Sequence, residues 1–277
     1  MAQDKQPNQL SEWVGDVQVL HQDPKNQNAI FQVASQFNLL EMVSPRVTPL
    51  AGITGYAYDK TQGPVCAMAC AAGTLYRNYL VDMAGQKGQT DQCQLNMLDE
   101  FERAANHKKH GFWTMQNGYV MPSKPGLVKF KQFLSALSTE EAENLKALIK
   151  VGLQQNTQVT LNQAQHCVSQ VYCSALPLAY HPYQDDLWQP FAQWVLDAAY
   201  EATFHHALLE KHRTGNRRIY LTLLGGGAFG NPTDWIIHAI EKSLHQFANC
   251  NLEIIFVSYG QSSQAVQSLL KRAGVSI

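Results

Sequence analysis

The stretch from Arg217 to Glu241, RRIYLTLLGGGAFGNPTDWIIHAIE, admits few folds. Ile219 to Leu224 is an apolar run of strand length, rich in β-formers. Gly225, Gly226 and Gly227 follow at once, then Ala228, Phe229, Gly230, Asn231 and Pro232, and from Trp235 to Ile240 apolar residues recur at helical spacing. This is the order strand, glycine loop, helix start. Glycines have no Cβ to hold the backbone away from a ligand, and the freed N–H groups together with the helix dipole favour an anion. The other reading is a tight βα turn with no ligand. Four glycines in six positions, with an aromatic before the last, weigh toward a phosphate loop.

The rest of the chain repeats the alternation. Residues 1–13 read as a polar arm and Val14 to Leu20 as a short strand. Ala29 to Ala34 reads as a central strand whose end carries Ser35, Gln36, Asn38 and Glu41. In an open α/β sheet, ligands sit at such carboxyl ends. Asn38 offers a donor and an acceptor suited to a sugar hydroxyl, or it caps a turn. Glu41 either belongs to the same turn or is a carboxylate in the cleft. Val65 to Leu80 reads as a helix of small residues, preceded by Asp59, Thr61, Gln62 and Gly63. A helix start there is a second anion site, and Asp59 is either its cap or an acid that orients water. Val168 to Leu178, the helix from Asp186 to His206, the strand from Leu252 to Tyr259 and the helix from Gln264 to Arg272 complete the pattern.

The segment 85–158 differs in character. Leu95, Leu98, Phe101 and Ala105 give a helical stripe. Asn117-Gly118 between apolar runs signals a hairpin, and Ser138 with Glu141 forms a capping box. We expect a mostly helical insertion with a hairpin, inside one domain spanning 1–277. The fold class is α/β, a mixed and largely parallel sheet covered by helices on both faces.

Composition limits the functions available. Hydrophobic residues are 45% of the chain and charged residues 16%, with a net charge of −1. That balance supports a buried core and offers no electrostatic footprint for nucleic acid or an anionic membrane. No run approaches the roughly 20 apolar residues of a membrane span. The polar N-terminus lacks a classical export signal, which fits a cytoplasmic protein and leaves non-classical secretion open. The six cysteines fall outside zinc-ligand spacing and read as reduced thiols. His205 and His206, being adjacent, make a poor metal pair. Nothing in the pattern calls for a cofactor or a metal.

Taken together, these segments resemble a macrodomain, the ADP-ribose-binding α/β fold. Gly226 to Pro232 (GGAFGNP) is similar to the family's Gly-Ile-Tyr/Phe-Gly-x-Pro phosphate loop. Gly15-Asp16-Val17 resembles its early Gly-Asp-Ile, and Ala29 to Asn38 its strand ending in Ala-Ala-Asn. About two hundred residues are covered, all but the arm and the insertion. Thr54 to Pro64 replaces the family's glycine-rich first loop, and the double glutamate of poly-ADP-ribose glycohydrolases is absent. The chain thus looks like a divergent branch, similar to macrodomains of bacterial effectors. The resemblance implies that Gly225 to Asn231 hold a diphosphate, with Phe229 near the distal ribose. It implies Asn38 on that ribose and Asp16 on adenine, with Thr61, Gln62, Gly63 and Tyr259 also lining the ligand. Asp59 and Glu41 are then the acids available for chemistry. The activity implied is hydrolysis of ADP-ribose from a modified protein, with Asp59 activating water. A non-catalytic reader of ADP-ribose is the alternative, and a partner-docking protein with a vestigial cleft a third.

Overall fold

A computed structural model describes residues 6–183 and 185–275. In chain order the elements are β1 (Gln9–Val14), α1 (Val17–Gln22), β2 (Ile30–Ala34), α2 (Gln62–Ala69), α3 (Ala71–Leu75), β3 (Asp82–Met83) and β4 (Gln86–Lys87). Then come α4 (Asp99–Ala104), α5 (His107–His110), β5 (Trp113–Gln116), β6 (Tyr119–Pro122), α6 (Lys124–Ser135), α7 (Thr139–Lys146) and β7 (Gly152–Gln158). The chain closes with β8 (Cys167–Cys173), α8 (Asp185–Thr214), β9 (Arg218–Leu221), α9 (Thr233–Gln246), β10 (Glu253–Ser258) and α10 (Gln264–Arg272).

The main sheet runs β1-β10-β9-β2-β8-β7. Every neighbouring pair is parallel except β7 against β8, so the sheet is mixed and largely parallel, as the alternation predicts. Strand periodicity divides β2 between two cores. Phe31 and Val33 face Val17, Leu20, Val65 and Cys66 of α1 and α2. Ile30 faces the other side, with Trp188, Phe191 and Val195 of α8 and Ile236 and Ile240 of α9. Phe31 stacks on Tyr220, its partner in register on β9, at 4.6 Å between ring centroids.

Several boundaries differ from the sequence reading. The part of the arm at residues 1–5 lies outside the described residues, but Gln9–Val14 is the edge strand β1, paired in register along β10. The expected strand over Val14 to Leu20 is mostly α1. Asp16 Oδ1 accepts the Gln18 N–H at 2.9 Å, and Val17, Leu20 and His21 then turn to one buried face. The single helix expected from Val65 to Leu80 starts earlier, breaks at Cys70 and ends in a wider π-type turn over Tyr76–Leu80. The segment 85–158 ends in β7, an edge strand of the main sheet, so its last residues are not insertion. Its aromatic residues Phe101, Phe112, Trp113 and Phe130 join Phe191 in the same core as α8. The hairpin β5–β6 forms as expected, with Asn117 and Gly118 both at positive φ (46° and 80°). The capping box of α7 is present. Among the described residues, no helix is long and apolar enough to cross a membrane.

Candidate active site

β2 and β9 pair only at Ile30–Ile219 and Phe31–Tyr220, and beyond that they diverge. The order of strands also reverses here, since β9 leads outward to β10 while β2 is followed by β7 and β8 on its other side. The divergence would strand backbone groups of β2. Gln62 supplies the substitute: its Nε2–H donates to Gln32 O and its Oε1 accepts the Ala34 N–H, both at 2.8 Å. One side-chain amide thus completes the ladder that β9 abandons, and a cleft of about 890 Å³ opens over the carboxyl ends of β2, β8, β9 and β10.

The glycine loop forms the centre of one wall. Gly225 has φ +77°, and a Cβ there would lie 2.5 Å from that of Ala175. The N–H groups of Gly226, Gly230 and Asn231 close turns onto Leu223 O, Gly227 O and Gly225 O. Those of Gly227, Ala228 and Phe229 have no partner among the described residues, and Gly226 to Ala228 are exposed. The first turn of α9 follows with no side-chain cap among the described residues, and Thr233 and Ile236 line the cleft. Open amides at a helix start favour an anion.

A second wall is aromatic. Tyr119 of β6 packs against Tyr180 and Phe229, with centroids 5.3 Å away in both cases, and its hydroxyl donates to Met42 O at 2.5 Å. The turn of this hairpin is tied down. Phe37 N–H donates to Gly118 O at 2.9 Å, and Asn117 Nδ2–H to Pro45 O at 2.7 Å.

The acids stand at the β2 end. Leu39 adopts φ +63°, costing roughly 1–2 kcal/mol for an L-residue. The conformation is held by the Arg77 Nε–H on Leu39 O at 3.0 Å and by Asn38 Oδ1 on the Leu40 N–H at 3.1 Å. This turn delivers Glu41 to the cleft, where its side chain is buried and Oε1 has no hydrogen-bond partner among the described residues. Gly63 lies against Oε2 so closely that a Cβ would be 2.3 Å from it and 2.2 Å from Ala34 O. Burial pushes the Glu41 carboxyl up to about 8; Arg77 opposes the shift and Asp59 adds to it. Arg77 is itself buried, over the Tyr172 ring at 3.7 Å. Asp59 is half-buried, and its Oδ1 accepts both the N–H and the hydroxyl of Thr61, at 2.9 and 2.7 Å.

The structure therefore brings Asp16, Glu41, Asp59, Thr61, Gln62, Gly63, Gly225 to Phe229 and Tyr259 to one cleft. Three expected ligand residues do not line it. Asn38 is fully buried, its amide spent on Leu40 and Gln94. Asn231 faces inward, donating to Leu176 O at 2.8 Å, and Gly230 turns against Ala179. Gln62 is present, but its amide is committed to β2. Tyr119 is not among the expected site residues; the sequence reading allows Trp113 to Gly118 of this hairpin to lean over the cleft, and the side chain that lines it is the next residue.

No family model matches the chain. No curated protein matches it either. Solved structures do. One is the poly(ADP-ribose) glycohydrolase from Thermomonospora curvata, at 12% identity over 98% of this chain and 78% of that one, with a TM-score of 0.46. Another is a poly(ADP-ribose) glycohydrolase from the same organism bound to the inhibitor ADP-HPD, at 11% identity over 96% and 79%, with a TM-score of 0.45. Such identities assign no residue of this chain a role.

Proposed function

We propose that this chain is a macrodomain-type hydrolase that releases ADP-ribose from a modified protein. The reading rests on one juxtaposition: the N–H groups of Gly227, Ala228 and Phe229, which have no partner among the described residues, share a cleft with the buried carboxyl of Glu41, whose Oε1 has none there either. The cleft volume suits a nucleotide-sized ligand. The diphosphate rests on the glycine loop, which presents the distal ribose to the β2 end, with Phe229 and Tyr119 alongside. Held there, the anomeric carbon faces the acids.

Glu41, protonated at neutral pH, gives its proton to the departing side-chain oxygen as the bond to the anomeric carbon breaks. Water adds to that carbon and returns a proton to Glu41, so that the products are ADP-ribose and the unmodified side chain. General acid catalysis of this kind contributes about 10²–10⁴-fold. Asp59, fixed by Thr61, orients the water. Glu41 thus takes the proton-transfer role that the sequence alone gave to Asp59.

Calorimetric titration with ADP-ribose, with AMP as control, tests the binding half. Gly227→Glu is a clean disruption, because a Cβ at Gly227 meets nothing within 4 Å while the new carboxylate repels the diphosphate. Saturable binding lost in that variant supports the reading, and no binding at millimolar ligand refutes it. Turnover of a mono-ADP-ribosylated protein tests the catalytic half. Glu41→Gln is expected to bind ADP-ribose and lose at least a hundredfold in rate. A fully active Glu41→Gln removes Glu41 from the chemistry, and a wild-type chain that binds without turnover is a reader.

A further inference from the structure

The cleft has a wall that none of its chemistry uses. It is the end of β10 and the segment after it, where Ser258, Tyr259, Gln261, Ser262 and Ser263 line the cavity before α10 begins. Strand pairing ends at Ser258, which faces Val14 of β1, and beyond it one side chain outside the cleft gathers the segment. Glu12 on β1 receives the Ser258 hydroxyl at 2.5 Å and the Ser263 N–H at 2.8 Å on Oε1, and the Ser262 hydroxyl on Oε2. Gln267 braces Ser262 from α10 at 2.8 Å. Three donors within six residues thus converge on one half-buried carboxylate.

The order of the sheet says which part of a ligand this wall meets. Across β10-β9-β2, the serine wall, the glycine loop and the acids Glu41 and Asp59 stand in sequence. A diphosphate on the middle element, with its reacting sugar at the β2 end, places its other substituent against the serine wall. We infer that Glu12 is a positioning residue that shapes this wall for the non-reacting end of the ligand, and so sets affinity without taking part in the reaction; this rests on the function proposed above. Glu12 does not line the cavity. It acts through the three serines.

The two variants Glu12→Ala and Glu12→Gln separate positioning from mere stability. Alanine leaves all three donors without their acceptor. Glutamine keeps Oε1 for Ser258 and Ser263, and its amide faces Ser262, whose hydroxyl reverses to accept. In calorimetry, Glu12→Ala is expected to weaken ADP-ribose roughly tenfold, the usual scale for freeing an ordered loop and its side chains. In turnover it raises KM by a similar factor with kcat within about twofold, and Glu12→Gln restores KM. Ribose 5-phosphate, which lacks the non-reacting end, loses nothing in Glu12→Ala. If Glu12→Ala fails to fold, the paired variant Ser262→Ala with Ser258→Ala opens the wall from the loop side and carries the same expectation. Unchanged ADP-ribose affinity in a folded variant overturns the assignment while leaving the hydrolase reading intact. So does an equal loss for ribose 5-phosphate. A wild-type chain that binds no ADP-ribose overturns both.

Discussion

Glu41 makes a prediction about stability that needs no ligand. Its carboxyl is held at about 8 in the folded chain against an ordinary 4.5. Between those values the folded protein keeps a proton that the unfolded chain has released. Stability falls with rising pH wherever the folded state binds more protons, here by about 1.4 kcal/mol per pH unit from this group. The contribution is nil below about pH 4.5 and reaches about 3 kcal/mol of lost stability at pH 7. Glu41→Gln replaces the carboxylic acid by a neutral amide of the same shape, so the penalty goes. Urea unfolding at pH 5, 7 and 8.5, read as midpoint with the slope held to the wild-type value, measures it. The variant should match the wild type within about 1 kcal/mol at pH 5 and exceed it by about 3 kcal/mol at pH 7, with the gap widening to pH 8. Parallel profiles for the two proteins would refute the reasoning, because they would mean that Arg77 already holds Glu41 ionised in the fold. A stability gain in Glu41→Gln together with the expected loss of turnover would mark Glu41 as kept for function.

Two glycines in the same cleft should respond oppositely to alanine. At Gly63 a Cβ meets Ala34 O at 2.2 Å and Glu41 Oε2 at 2.3 Å, and neither the strand nor the buried carboxyl has room to yield. Gly63→Ala should cost about 1–3 kcal/mol or more by thermal melting and should displace Glu41 enough to lower turnover. Gly227→Ala meets nothing, and its melting temperature should stay within a degree or two of wild type. Gln62→Leu should destabilise by about 3 kcal/mol, since it leaves Gln32 O and the Ala34 N–H unpaired at the strand edge. Urea unfolding checks it, and a change below about 1 kcal/mol would show that water takes over the pairing.

What the sequence makes legible is what local pattern encodes. Ile219 to Ile240 announces its strand, loop and helix because apolar periodicity and glycine density are written within one segment, and the structure places that loop on the cleft. The parallel sheet follows from alternating strands and helices. Two kinds of information are not local. The first is which polar atoms meet. Asn38 looks like a ligand contact from its place after β2, and only the fold shows its amide closed onto Leu40 and Gln94. The second is partnership across the chain. Glu12 acts on residues about 250 positions away, and Tyr119 meets Phe229 across more than a hundred. The misread arm has a plainer cause. QLSEWV holds three apolar and three polar residues because an edge strand needs to bury only part of its surface, and its pairing along β10 is supplied by backbone.

The divergence of β2 from β9 links these features. A parallel sheet that stayed paired to its carboxyl end would bury Ala34, Ser35 and Thr222 under continued ladder hydrogen bonds and leave no cavity. Here pairing stops after two residues, and the lost bonds are replaced from α2 by Gln62. The replacement comes from the first residue of the helix that also brings Gly63 against Glu41. Gln62 and Gly63 thus link the opening of the cleft to its buried acid, which the turn at Leu39 delivers. The glycines and the carboxylate stand on opposite sides of this split, the loop leaving β9 and Glu41 following β2. A ligand that spans both sides restores across the gap the contacts that the two strands gave up. Its binding should accordingly slow hydrogen exchange at the carboxyl ends of both β2 and β9.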